Sequence, residues 1–238
     1  MKISDLNLPA HIEWKSFSSR EELTHALAKN TAQQLGEAIQ QRQQASMAVS
    51  GGRTPIQLFH ELSLTPLDWA KVTITLADDR CLKHEHPDSN AGLVRHTLLQ
   101  NCASDASFVA LFEDRSDLTH QEQQAQCEVR LNQVSDPLDL IILGLGNDGH
   151  TASLFPCSDD IESAVNSQSH CALVTPKTAP YSRLTLTPKR ILNAHRRILH
   201  ICGEDKLLTL QKALSDGPSI EMPIRYFLAH PLTIYWSA

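Results

Sequence analysis

Short apolar runs rich in β-branched residues recur along this chain, separated by stretches with helical spacing. The runs are "SMAVS" (46–50), "VTITLADD" (72–79), "SFVALF" (107–112), "LDLIIL" (138–143), "RRILHIC" (196–202) and "LTIYWS" (232–237). Ahead of the first run, Leu23, Leu27, Leu35 and Ile39 recur at helical spacing within 20–43. Pro55 stands near the start of a second helix, 118–134 reads as a third, and "GEDKLLTLQKAL" (203–214) as a fourth. Strands alternating with helices predict an α/β fold, Rossmann-like, with a mostly parallel sheet covered on both faces. No internal repeat and no Gly/Ser-rich linker interrupts the pattern. A single domain over 1–238 is expected, with the less regular stretch 156–195 an insertion or a lid.

Composition narrows the function classes. The 238 residues carry a net charge of −6, and the basic residues are scattered rather than clustered. No nucleic-acid groove and no polybasic membrane patch is expected. The six cysteines are widely spaced and form no C-x-x-C pair, which fits packed, reduced thiols and a cytoplasmic setting. The N-terminal segment has no apolar stretch of signal-peptide length, and no run approaches the roughly 20 apolar residues of a membrane span.

Ligands of parallel sheets bind at the carboxyl ends of the strands. Four strand ends here carry unusual chemistry: Ser50-Gly51-Gly52, Asp78-Asp79-Arg80, Gly144 through His150, and Gly203 with Lys206. Six of the nine glycines fall in the first, third and fourth of these turns. Glycine allows close backbone approach, and free N–H groups at a helix start attract anions. Any one such turn is explained as a tight strand-to-helix connection; four together point to a small phosphorylated ligand. "GLGNDG" matches the dinucleotide fingerprint G-x-G-x-x-G, but it comes late in the chain and Asp148 would face a pyrophosphate. No Walker lysine follows "SGGRTP". "HEHPD" (84–88) offers an H-x-H pair with no third ligand nearby, so no metal site is expected. None of the cysteines is expected at a strand-end turn, and Arg197 reads as a surface charge.

Five blocks, "SGGRTP" (50–55), "DDR" with "PDSN" (78–80, 87–90), "GLGNDGHTASLFP" (144–156), "PYSRLTLTP" (180–188) and "GEDK" (203–206), resemble in order and spacing the 6-phosphogluconolactonases. These enzymes share a superfamily with glucosamine-6-phosphate deaminases. The resemblance spans roughly 20–236. It implies a Rossmann-like fold, no required cofactor, and hydrolysis of 6-phospho-D-glucono-1,5-lactone in the oxidative pentose phosphate pathway. Two positions depart from the family pattern, Arg53 for Ser and Asp79 for Glu, and both are expected to bear on substrate contacts.

Lactone opening by water needs a base, donors for the developing oxyanion and an acid for the leaving oxygen. His150 suits the base, since a free imidazole titrates near about 6.5. By the resemblance Asp148 and Asp78 line the sugar site, where either could orient the imidazole or bind hydroxyls; Asp148 could equally be a helix cap. Arg80, Arg183 and Lys206 are candidate phosphate and sugar ligands, with Ser50, Gly51, Gly52 and Thr54 in the phosphate turn. Two other readings stay open: an amino-sugar-phosphate isomerase/deaminase, and a non-catalytic sugar-phosphate sensor. The deaminases carry a glutamate five residues beyond the histidine, where this chain has Phe155 before Pro156. The sensor needs an N-terminal helix-turn-helix for which the 49 residues before Ser50 leave no room.

Overall fold

The computed structural model describes residues 6–115 and 117–238; residues 1–5 of the expected domain lie outside them. In chain order the strands are β1 (Ile12–Phe17), β2 (Ala45–Val49), β3 (Val72–Leu76), β4 (Asp78–Arg80), β5 (Ser107–Val109), β6 (Leu140–Leu143), β7 (Cys171–Val174), β8 (Arg183–Leu186), β9 (Arg196–Cys202) and β10 (Leu232–Ser237). The helices are α1 (Arg20–Arg42), α2 (Ile56–Ser63), α3 (Asn90–Thr97), α4 (His120–Leu131), α5 (Ile161–Val165), α6 (Pro188–Leu192), α7 (Glu204–Leu214) and α8 (Arg225–Leu228).

Seven strands form one sheet in the order β1-β10-β9-β6-β2-β3-β5, and every neighbouring pair is parallel. Its central strands are buried along their whole length, as strands covered on both faces must be. The mostly parallel α/β expectation holds. α1 carries Leu23, Leu27, Leu35 and Ile39 inward, begins at Ser19, whose hydroxyl accepts from the Glu22 N–H, and stops at Gln43 in the left-handed region. It lies against β1, β2 and β10.

Four expectations need correction. "VTITLADD" is two strands, not one. The Ala77 N–H donates to Val49 O while its carbonyl accepts from Leu186 N, so the chain leaves the parallel sheet at Ala77 and enters a second, antiparallel sheet of order β4-β8-β7. "SFVALF" is a strand only to Val109, because the carbonyls of Ala110 and Leu111 are taken by the Arg130 guanidinium instead of a neighbouring strand. The stretch 156–195 is no loose insertion: it supplies α5, β7, β8 and α6, and Cys171, Val174, Leu184 and Leu186 are fully buried in the core. Arg197 is half-buried rather than a free surface charge, since it donates to the carbonyls of Leu192, Ala194 and Pro231. β1 was not anticipated; its alternating "IEWKSF" docks on β10. No helix of the described residues is long and apolar enough to cross a membrane.

Candidate active site

The carboxyl ends of β2, β6 and β9 open into a cavity of about 230 Å³. Ser50, Gly51, Gly52, Thr54, Asp78, Arg80, His150, Arg183 and Lys206 all line it. Asp148 does not line it; it stands behind His150. Arg53 lies on the cavity wall at an exposed position.

The turn after β6 explains its own composition. Its ends are tied by Gly146 N–H to His150 O (2.8 Å) and Gly149 N–H to Gly146 O (3.0 Å). At Gly146 a Cβ would lie 2.1 Å from His150 Nδ1 and 2.8 Å from an Asp148 oxygen, so only glycine lets both side chains fold over the turn. Gly149 has φ +83°, a conformation L side chains rarely adopt. Inside this frame His150 Nδ1 donates to Asp148 Oδ1 at 2.5 Å, and the His150 backbone N–H donates to the same oxygen at 3.1 Å. Burial pushes the Asp148 carboxyl up, but the hydrogen bond and charge of His150 outweigh it and hold Asp148 below the ordinary carboxylate range. An ionised Asp148 on Nδ1–H leaves the Nε2 lone pair free to take a proton. The helix-cap alternative for Asp148 is not what the structure shows.

The small sheet supplies the cations. The antiparallel register of β4 and β8 sets Arg80 directly opposite Arg183. Like charges in that relation repel, and Asp78, Asp79 and Asp88 offset that repulsion at Arg183. Arg183 is 6% exposed, and burial lowers its pKa against the opposing pull of Asp78. The buried Nε of Arg80, the buried Nε of Arg183 and the Ser50 hydroxyl have no protein hydrogen-bond partner among the described residues. All three belong to side chains lining the same cavity. A desolvated donor without a partner is costly. Asp78 accepts from Ser153 Oγ at 2.5 Å.

Asp79 does not touch the cavity. It is fully buried and faces α3, accepting from Arg80 N, Asn90 N and Ala91 N at 2.7–3.1 Å. The expectation that this departure bears directly on substrate contacts is corrected: Asp79 fastens the start of α3, while neighbouring Asn90 both donates to Asp78 O and lines the cavity.

Lys206 sits in the first turn of α7 and donates to Asn147 Oδ1, tying α7 to the histidine turn. His200 and Cys202 are among the lining residues that the sequence did not single out. His200, in the middle of β9, is buried, and burial lowers its pKa to about 4, so it is neutral. Cys202 ends the same strand before Gly203, so one cysteine does sit at a strand-end turn. Nothing in "RRILHIC" distinguishes these two from core positions; only proximity to Gly203 could have flagged Cys202. In "HEHPD", His86 accepts from Asp88 N and packs edge-on against the Tyr181 ring.

Comparison with known proteins fits this geometry. Residues 18–236 match the model of the family described as glucosamine-6-phosphate isomerases/6-phosphogluconolactonase. The chain is 40% identical to a 6-phosphogluconolactonase of Pseudomonas aeruginosa over 239 residues, covering 99% of each chain. It is also 40% identical to one of Mesorhizobium japonicum, covering 96% of each. A crystal structure of a 6-phosphogluconolactonase from Shewanella baltica superposes with a TM-score of 0.93 at 41% identity, over 98% of this chain and 100% of that one. A monomeric glucosamine-6-phosphate deaminase shares the fold at 20% identity, with a TM-score of 0.78 over 94% of this chain and 97% of that one. Matched over residues 18–236 and 40% identical to relatives along nearly its whole length, the chain belongs to the glucosamine-6-phosphate isomerase/6-phosphogluconolactonase family.

Proposed function

We propose that this chain hydrolyses 6-phospho-D-glucono-1,5-lactone to 6-phospho-D-gluconate, the lactone-opening step of the oxidative pentose phosphate pathway, with His150 as the base. The relatives of 40% identity carry the name of that activity. One observation carries the mechanism: a histidine held by a carboxylate on Nδ1 lines the same cavity as two opposed arginines with unpartnered donors. In this reading His150 Nε2 takes a proton from water as the oxygen adds to the lactone carbonyl carbon. The tetrahedral intermediate collapses with cleavage of the bond to the ring oxygen, which takes the proton back from the imidazolium. The new carboxylic acid then ionises, releasing one proton to solvent. Asp148 keeps the imidazole in the required tautomer and stabilises its cation, as an orienting carboxylate does. Arg80, Arg183, Lys206 and the Ser50–Thr54 turn bind the phosphate and neighbouring sugar oxygens, and Asp78 accepts from a sugar hydroxyl.

The fold is shared with a deaminase, so it does not decide between the two chemistries. Phe155 favours the lactonase: no carboxylate stands five residues beyond His150 to assist opening of an amino sugar. The test is lactone hydrolysis corrected for spontaneous opening, run beside ammonia release from glucosamine 6-phosphate. Hydrolysis without ammonia is expected, with unphosphorylated gluconolactone a far poorer substrate. His150→Ala should lower kcat by at least about a hundredfold while KM changes little. Ammonia without lactonase activity, or near-normal kcat in that variant, overturns the reading.

A further inference from the structure

Phe155 carries no carboxylate, yet the structure gives it contacts on both halves of the site. Its ring stacks on the His150 imidazole with centroids 4.0 Å apart and planes 27° from parallel. The Arg183 guanidinium carbon lies over the same ring, 4.8 Å from its centroid. We infer that Phe155 is a positioning residue, whose flat face sets the plane of the catalytic imidazole and registers it against the arginine that takes the substrate's anionic group. The inference rests on the reading of His150 as the base and Arg183 as an anion ligand.

The physical case begins with what else restrains these two side chains. The Asp148 contact pins His150 at Nδ1, one point on the ring. A single hydrogen bond leaves the imidazole free to rock about that contact, and rocking swings Nε2 away from the attacking water. A second restraint across the ring face removes that motion, and the phenyl ring supplies it. Arg183 is held still less: Nη2 makes a long bond to Pro180 O at 3.4 Å, and Nε has no protein partner among the described residues. Stacking on an aromatic face is the natural restraint for a planar guanidinium. Phe155 is itself fixed, 3% exposed, with its carbonyl accepting from Ser158 N and the preceding Leu154 bridged to Thr151. One rigid side chain therefore sets the relation between base and anion site. Leucine would fill similar apolar space but present no plane.

The experiment compares Phe155→Leu, which keeps burial, with Phe155→Tyr, which keeps the plane. Two readouts are taken on folded protein: lactonase kinetics, and the imidazole Cε1–H resonance of His150, identified by its loss in His150→Gln. Stacking holds that resonance upfield through the phenyl ring current. Phe155→Leu should move it downfield and lower kcat by roughly ten- to a hundredfold, the scale of a misplaced catalytic group. Phe155→Tyr should keep the upfield position and most of the rate. A Leu variant with wild-type kcat, or one with an unmoved His150 resonance, overturns the inference. If the wild-type protein opens no lactone, the functional reading fails instead, and an unmoved resonance in Phe155→Leu still overturns the stacking on which the inference rests.

Discussion

Gly146 shows how narrowly the histidine turn is built. With a Cβ at that position falling 2.1 Å from His150 Nδ1, Gly146→Ala must push the imidazole, the Asp148 carboxylate or both out of place. The surrounding core does not depend on that atom, so melting temperature should change little while kcat falls at least roughly tenfold. Thermal melts beside steady-state kinetics check this; a variant as active as wild type would show that the turn tolerates a displaced pair. The crowding of glycines was legible in the sequence, and so was the Asp-Gly-His triplet. What spacing could not reveal is which atom each glycine makes room for. Nor could it place Asp148 behind the imidazole rather than at a helix start, since an Asp two residues before a His serves either purpose equally well.

At the scale of elements, β4 and α3 meet through Asp79. Burial pushes this carboxyl up to about 7, even though the N–H groups of Asn90 and Ala91 pull it down. The folded state therefore keeps a proton that the unfolded chain, with an ordinary carboxyl near 3.8, gives up. Below about pH 4 both states are protonated, and above about 7 both are ionised. Between those limits the folded state binds more protons, so stability from this group is fully present in acid and is lost as pH rises toward 7. Asp79→Asn removes the titration. Going from pH 8 to pH 5, wild-type stability should rise relative to Asp79→Asn by on the order of 2 kcal/mol, read from urea midpoints. A pH-independent difference would mean that the carboxyl does not titrate there. The sequence hid this arrangement because "VTITLADD" has one continuous strand pattern, and the handover at Ala77 is written only in which carbonyls its neighbours reach. The paired arginines were likewise individually visible but not as a pair, because β4 and β8 lie about a hundred residues apart and antiparallel register is a tertiary fact. α1 and β10, by contrast, announce themselves, since periodicity over a long helix and a bounded apolar run need no partner to be recognised.

For the molecule as a whole, the sheet order matters more than any one strand. β10 lies inside the sheet, between β1 and β9, with Trp236 paired to Ser16 on one side and to Ile201 on the other. Deleting 232–238 therefore removes an internal strand, not a frayed end, and strands β1 and β9 lose their shared partner. Such a chain should lose its cooperative thermal transition and bind hydrophobic dye; a truncated protein that still melts sharply would contradict the register. The same feature governs the order of events during synthesis. Among the described residues β1 has no neighbour in the sheet except β10, so an emerging chain must hold "IEWKSF" unpaired until some two hundred more residues have left the ribosome. Until then that segment is an open edge, the kind of surface that nascent chains offer to chaperones and to one another.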